Sequence, residues 1–410
     1  MKKSLSIIAV LALATACIYP FQPDLEEAPE GVLAVDGSIM IGEPSIVRVG
    51  SMLSLIRKKT DPSPVPGGYY YATSLEHGIE IQRVWAEDDA GEVYEGTYSP
   101  DNYDGIYTMR PYSIPTEKAP YNRSYRVCIQ AGDDLYSSDW IKPLAPPVLR
   151  KITFKVSKAT EKPEVTVAVT LDGGEDATGY VLLSFDETWK FHADWYPDYD
   201  YDPDSNSVFE RLTAWNRYWC WKHVDSKTQI PLDISGMTSS TLKDYPLHSF
   251  SRYDNRNHDR YCIQVKARTI DKSTYLYLRH LEESTQSGDN LFTPNPGEIS
   301  GNLRCETDPD RMVLGYVTVA IASSLRAYKN NQYLLVRPDD LYSLVYPDAV
   351  PQMPGQYSWI DYYQMGYMPL VSNTLPPSNP PLGPYGWGSA PCYDCIAAGG
   401  TQVKPDFWDE

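Results

Sequence analysis

Residues 78–96 read GIEIQRVWAEDDAGEVYEG, and this stretch decides the fold class. Ile79 and Ile81 alternate with polar neighbours, and Val84 resumes the pattern after a slip of phase, which is the period of a half-buried strand. DDAG at 88–91 then supplies a hairpin turn leading into a second β-prone run. The same grammar continues on both sides in VLAVDGSIM (32–40), SIVRVGSM (45–52), GIYTM (105–109), SYRVCIQ (124–130) and DLYSS (134–138), all bounded by Gly, Asp, Asn or Pro. An antiparallel sandwich over 31–145 accommodates these runs. PLAPPV (143–148) marks a linker. RKITFKV (150–156), EVTVAVTL (164–171) and GYVLLSF (179–185) then open a second β-domain, placed at 146–344 with MVLGYVTVAI (312–321) and YLLVR (333–337).

Composition agrees with a mainly β protein. Thirty-four prolines, 26 glycines and 33 tyrosines favour short strands and turns over long helices. One short helix is expected at 271–285, with Asp271 or Ser273 capping it and Tyr275, Leu278 and Leu281 on one stripe. An aromatic and acidic insertion occupies about 190–221, and residues 345–410 read as an irregular Pro/Gly-rich tail. The net charge of −18 argues against nucleic acid as a partner, because that class needs clustered cations to displace counterions.

The N-terminus carries a targeting pattern. Lys2 and Lys3 precede an apolar run ending in LATAC, so 1–16 reads as a signal peptide and Cys17 as the acylated cysteine of a lipobox. The run is too short to span a bilayer, which needs about 20 apolar residues. Residues 17–30, proline-rich and acidic, read as a lipidated tether. The expected location is the outer membrane, at the cell surface in preference to the periplasmic face.

Cys17 aside, six cysteines remain as disulfide candidates: Cys128, Cys220, Cys262, Cys305, Cys392 and Cys395. Cys128 is in phase with Arg126 and Gln130, and Cys262 with Gln264 and Lys266, so both fall on polar strand faces that require either pairing or cover by another segment. The CYDC pair at 392–395 lacks the second close pair of a zinc site and the βα context of a redox site, and reads as a staple for the tail.

Motifs for chemistry are sparse. No nucleophile elbow, phosphate loop, dinucleotide fingerprint or H-E-x-x-H occurs. Asp198, Asp200 and Asp202 alternate as in a calcium loop, but Pro203 and Phe209 stand where the turn glycine and the last ligand belong. His258 beside Asp259 reads as a surface or loop histidine, since sequence neighbours on a strand face opposite ways. No metal or cofactor is expected, and no catalytic residue is assigned. Trp195, Tyr196, Tyr199, Tyr201 and Trp215 in the insertion are the candidates for touching a small ligand, glycan, peptide or partner, because Tyr and Trp make low-entropy contact surfaces.

Taken in order, several segments resemble the Bacteroidota lipoproteins known as domain of unknown function 4249. They are 33–52 with the WAEDDAGEVYEG hairpin and GIYTM, FDETWKF (185–191), the Cys220–Trp221 step, RYCIQVKA with the short helix, PNPGEISGN (294–302), VLGYVTVA, and CYDCIAAGGTQVKPDFW (392–408). Cys128, Cys262, Cys305 and the aromatic insertion depart from the family pattern. The resemblance implies an immunoglobulin- or transthyretin-like first domain, here followed by a fibronectin-like one. It further implies an outer-membrane lipoprotein encoded beside a TonB-dependent receptor, with no known reaction. The expected function is therefore a non-catalytic accessory that binds substrate for such a receptor or caps it. The alternatives are an adhesin or envelope-assembly lipoprotein and, third, a cryptic hydrolase.

Overall fold

The computed structural model describes residues 32–51, 80–100, 109–157, 163–173, 178–226, 228–237, 241–287, 301–330, 344–353, 355–372 and 383–408. Cys17, its tether, GIYT and YLLVR lie outside the described residues. The protein is mainly β, with strands in several sheets and three α-helices among the described residues.

The hairpin that decides the fold is present. Strand Ile81–Asp88 turns into Val93–Glu95 and pairs with it antiparallel. Asp88 makes the turn by accepting from the amides of Ala90 and Glu92, while Gly91 adopts a φ of 87°. Val84 and Ala86 from this strand enter a core with Val127, Ile129 and Tyr136 on one side and Leu33, Val35, Val47 and Val49 on the other. Those residues come from two five-stranded sheets enclosing one apolar interior.

Completing these sheets requires strands from far along the chain. Val313–Ala320 runs parallel to Leu33–Met40, and Leu303–Cys305 pairs with Asp134–Ser138. The linear division at 146–344 counted both segments with the second body. Alternation identifies a strand and its buried face, but it carries no information about which edge the strand will cover. The parallel pairing leaves no room for a side chain at Gly315. Its φ is 122°, and a Cβ there would lie 1.7 Å from the Val35 carbonyl oxygen.

The second body packs the three-stranded sheet of Val148–Val156, Glu164–Asp172 and Thr241–Ser251 against a sheet centred on Tyr180–His192 and Arg260–Thr269. Val165, Val167, Val169, Leu183, Ile263 and Val265 fill the space between them. The prolyl linker is pinned to this body, since Thr269 and Ser323 hydroxyls donate to the carbonyls of Ala145 and Pro147, both at 2.6 Å. Lys266 reaches across to Glu43 of the first body at 2.7 Å.

The expected helix spans Lys272–Ser287, capped by Asp271, which accepts from the Thr274 amide at 2.7 Å. Its inward stripe is met in part: Tyr275 packs on Tyr180 at 4.8 Å and Leu278 is half-buried. Leu281 is exposed, whereas Thr274 is buried and Tyr277 stacks on Tyr316 at 4.4 Å. The tail is also more regular than its composition implied. It contains helices Trp359–Gln364 and Ala390–Tyr393 and an antiparallel pair, Met368–Ser372 with Tyr385–Gly388. Trp387, fully buried, sits against Tyr201 and Trp359, so tail and insertion share one small core.

Gly315→Ala is expected to cost well over about 1 kcal/mol, because both its φ and the Val35 carbonyl oppose a side chain. Gly91→Ala, where φ is positive but nothing lies near, should cost only about 1 kcal/mol. Thermal melts of the two variants check the order.

Candidate functional site

The strand Tyr180–His192 ends beside a 3-10 turn, Asn255–Asn257, and a cleft of about 360 Å³ opens between them. Phe191, His192 and Asp194 form one wall, Asp254, Asn255 and His258 a second, and Pro391 with Ala398 from the tail a third.

A buried ionic cluster holds the second wall in place. Glu187, 3% exposed, accepts from Arg256 Nε at 3.1 Å and from the Tyr261 hydroxyl at 2.7 Å, with His248 Nε2 3.3 Å away. Arg256 turns its other face to Asp254 at 2.9 Å, and Asp254 in turn caps the 3-10 turn through the Arg256 amide. Asn255 is fixed by the Trp189 indole N–H, which donates to its Oδ1 at 3.0 Å. Burial alone would raise the Glu187 carboxyl, but His248, Tyr261 and Arg256 together override it and hold the group at about 2.

His192 of the first wall is held behind the cleft in a stack of rings. His192 lies parallel to His258 at 4.2 Å and to Tyr218 at 4.9 Å, with Trp219 edge-on at 4.9 Å. Its Nδ1 is 2.6 Å from the Ala193 carbonyl, an acceptor, so Nδ1 carries the proton. Burial lowers the pKa of His192, leaving a neutral ring whose buried Nε2 has no hydrogen-bond partner. His258 donates from Nδ1 to the His192 carbonyl at 3.2 Å. His258 is thus a loop residue, as expected, though half-buried in a stack and not on the open surface. Its neighbour Asp259 turns away to Lys190 at 3.4 Å. Sequence signal for this stack was thin: HDR and FHAD lie 66 residues apart and share no spacing rule.

The third wall depends on a covalent bond. Cys220 and Cys395 form a disulfide closing 175 residues. Cys220 is the cross-strand partner of Phe191, so the bond brings the tail directly against the cleft. Trp221 and Thr401 then exchange two backbone hydrogen bonds of 2.7 Å, extending the sheet edge into the tail. The staple reading of the CYDC segment is therefore met by Cys395.

The other four described candidates, Cys128, Cys262, Cys305 and Cys392, are free thiols and buried. Polar-face cysteines demanded pairing or cover, and cover is what they have. Arg126, bonded to Glu87, lies in phase beside Cys128. The tail closes over Cys262, where Trp408 packs on Tyr328 and the Tyr328 hydroxyl donates to the Phe407 carbonyl at 2.8 Å. Burial, the largest cause, pushes Cys128 up to about 12 and Cys262 up to about 11, so neither is a nucleophile at neutral pH.

The aromatic candidates are mostly committed to internal packing. Tyr201 is buried against Trp387, Tyr199 contacts Tyr385, and Trp215 donates from its indole to the Tyr393 carbonyl at 2.7 Å. The Trp195 amide donates to the Cys392 carbonyl, and its ring packs in the same cluster. Tyr196 alone of the five keeps a large exposed fraction, 37%. In the acidic run, Asp200 is paired with Arg211, and Asp202 accepts from Ser205 and the Asp204 amide. Among the described residues no three His, Cys, Asp or Glu side chains are grouped to hold a metal ion, and no helix is long and apolar enough to cross a membrane.

Fold and site together define a mainly β protein whose aromatic insertion and C-terminal segment are fastened onto the central sheet by one disulfide, with a polar cleft at the seam. The chain belongs to the family described as a domain of unknown function (DUF4249), whose model matches residues 18–326. No curated protein matches the chain.

Peptide mapping without reductant should recover Cys220 joined to Cys395, with Cys128, Cys262, Cys305 and Cys392 reacting with thiol reagents only after unfolding. Cys220→Ser is expected to cost up to about 5 kcal/mol, the loop-closure figure for a crosslink of this span. The Glu187 carboxylate has a folded pKa below its unfolded one. Its stabilisation, about 3 kcal/mol, is therefore complete above pH 4.5 and lost as pH falls towards 2. Acid unfolding of Glu187→Gln should show a correspondingly smaller dependence on pH in that window.

Proposed function

We propose that this protein is a non-catalytic outer-membrane lipoprotein, anchored through Cys17 at the cell surface, that works by contact beside a TonB-dependent receptor. The observation that carries the reading is the N-terminal pattern. Two lysines, a short apolar run and LATAC lead into a proline-rich acidic tether, and the chain beyond it folds as a β-body. Several acyl chains on one cysteine make a stable anchor where a single chain does not. Membership in the domain of unknown function 4249 family over most of the chain is consistent with this reading, although the family description names no activity.

The bodies are suited to holding a surface in place. The first core is closed by strands distant in sequence, and the seam at the tail is covalent. The pinned linker and the Lys266–Glu43 bridge add fixed points between the two bodies. A scaffold of this kind can present a ligand or a loop to a neighbouring barrel without large rearrangement.

Full-length protein expressed in a Bacteroidota host should incorporate labelled palmitate and sediment with outer membranes, and Cys17→Ser should abolish both. Isolation under mild detergent should recover a β-barrel receptor. Membrane-attached protein that repeatedly comes away with no barrel would refute the partnership while leaving the anchor intact.

A further inference from the structure

From Ala349 to Tyr393 the sequence carries one charged side chain, Asp361, in a chain of which 22% is charged. Asp361 is engaged locally, accepting from both the amide and the hydroxyl of Ser358 at 2.7 Å. Within this stretch the turn between Asp348 and Ser358 projects three apolar side chains into water: Val350 is 66% exposed, Met353 71% and Tyr357 57%. Exposed apolar residues elsewhere stand beside charges, as Met312 does beside Arg311 and Val403 beside Lys404. Single residues of that kind need no explanation, but three on one short uncharged turn do.

The turn is built to hold these side chains out. Asp348 and Ser358 close its base in a β-bridge, and Gln356 braces its interior. Gln356 Oε1 accepts from the amides of Gln352 at 3.0 Å and Met353 at 3.2 Å, while its Nε2 donates to Asp348 at 3.1 Å. The Gln356 amide donates to the Met353 carbonyl at 3.2 Å, and Pro351 has no amide proton. These amides are thus bonded from within the turn. A protein surface could supply partners for them, whereas hydrocarbon cannot, so internal bonding is what a segment entering lipid requires.

Charge and reach point the same way. At a net charge of −18 a second copy of the chain is repelled, and so is an anionic surface, whereas zwitterionic headgroups bring no net charge. Residues 17–31 separate Cys17 from the first described residue, and a chain of that length spans at most about 50 Å. With Cys17 acylated, a bilayer is therefore the one surface permanently within reach, at high effective concentration. We propose that the turn at 348–358 is a membrane-docking tip that dips Val350, Met353 and Tyr357 into the interface of a zwitterionic bilayer and so orients the anchored body. The inference rests on the anchored reading above and deepens it by naming a second lipid contact.

The test uses the mature full-length protein, with Cys17 acylated, reconstituted into phosphatidylcholine vesicles. A nitroxide on Gln352→Cys reports the depth of the tip and leaves its three apolar side chains in place. One on Asp133→Cys, in an exposed turn of the first body, is the control. The native cysteines beyond Cys17 are buried or disulfide-bonded and do not take the label. The expected result is a nitroxide at 352 open to oxygen and closed to a water-soluble nickel chelate, unchanged by added salt, with the reverse at 133 and in Val350→Asp/Met353→Asp. Both substituted side chains are exposed, so the double variant should melt as the parent does. The non-acylated Cys17→Ser chain, titrated with the same vesicles, should bind about tenfold more weakly once Val350→Asp and Met353→Asp are introduced. A nitroxide at 352 that stays open to the chelate on vesicles overturns the proposal. So does burial that appears without lipid and grows with protein concentration, which makes the occupant a second copy, or that requires a co-reconstituted β-barrel receptor, which makes it a protein. Vesicle binding by the Cys17→Ser chain, with native protein found unacylated, refutes only the anchor, and acylated protein with its tip in water refutes only the docking.

Discussion

The return of the C-terminal segment onto the central sheet is the constraint on which the rest of the molecule depends. Residues 383–408 close the polar face of the sheet over Cys262, supply a wall of the cleft, and share a core with the aromatic insertion. Its one strand and one helix are only four residues long each, too short to hold it there by their own hydrogen bonds. The Cys220–Cys395 bond removes the entropy of a very long open loop from the unfolded ensemble, and the Trp221–Thr401 pairing then fixes the register of the contact.

Once the tail is in place, the insertion has a partner. Tyr199, Tyr201, Trp195 and Trp215 would be a large exposed aromatic surface on an isolated second body. Packed on Trp387, Trp359 and Tyr393 they become a small interior instead. Covalent closure and aromatic burial thus support each other, and rings at the margin of that interior, Tyr196 and Trp219, stay available to solvent. The cleft lies where Pro391 and Ala398 of the tail meet the end of the central strand, and the Glu187–Arg256–Asp254 cluster behind it has its charges matched, which holds the 3-10 turn in place.

Much of the fold was legible in the chain. Alternation located Ile81–Asp88, Tyr125–Ala131 and Glu164–Asp172, DDAG located the hairpin, and Asp271 located the helix start, because each of these depends on neighbours within a few residues. The site was far less legible. His192 and His258 gave no motif, and the aromatic residues of the insertion read as exposed because the surface that covers them comes from some 180 residues further on.

The sequence by itself determined the class of the protein. Its periodicity, turns and cysteine content commit it to β-sheets, and its ordered segments match the family. Tertiary structure alone decided which edge Val313–Ala320 would cover, which of six cysteines would pair, and that two distant histidines would stack in one cleft. The reason is physical: local pattern records which face of an element avoids water, whereas the identity of whatever covers that face is set only when all the elements compete for it at once.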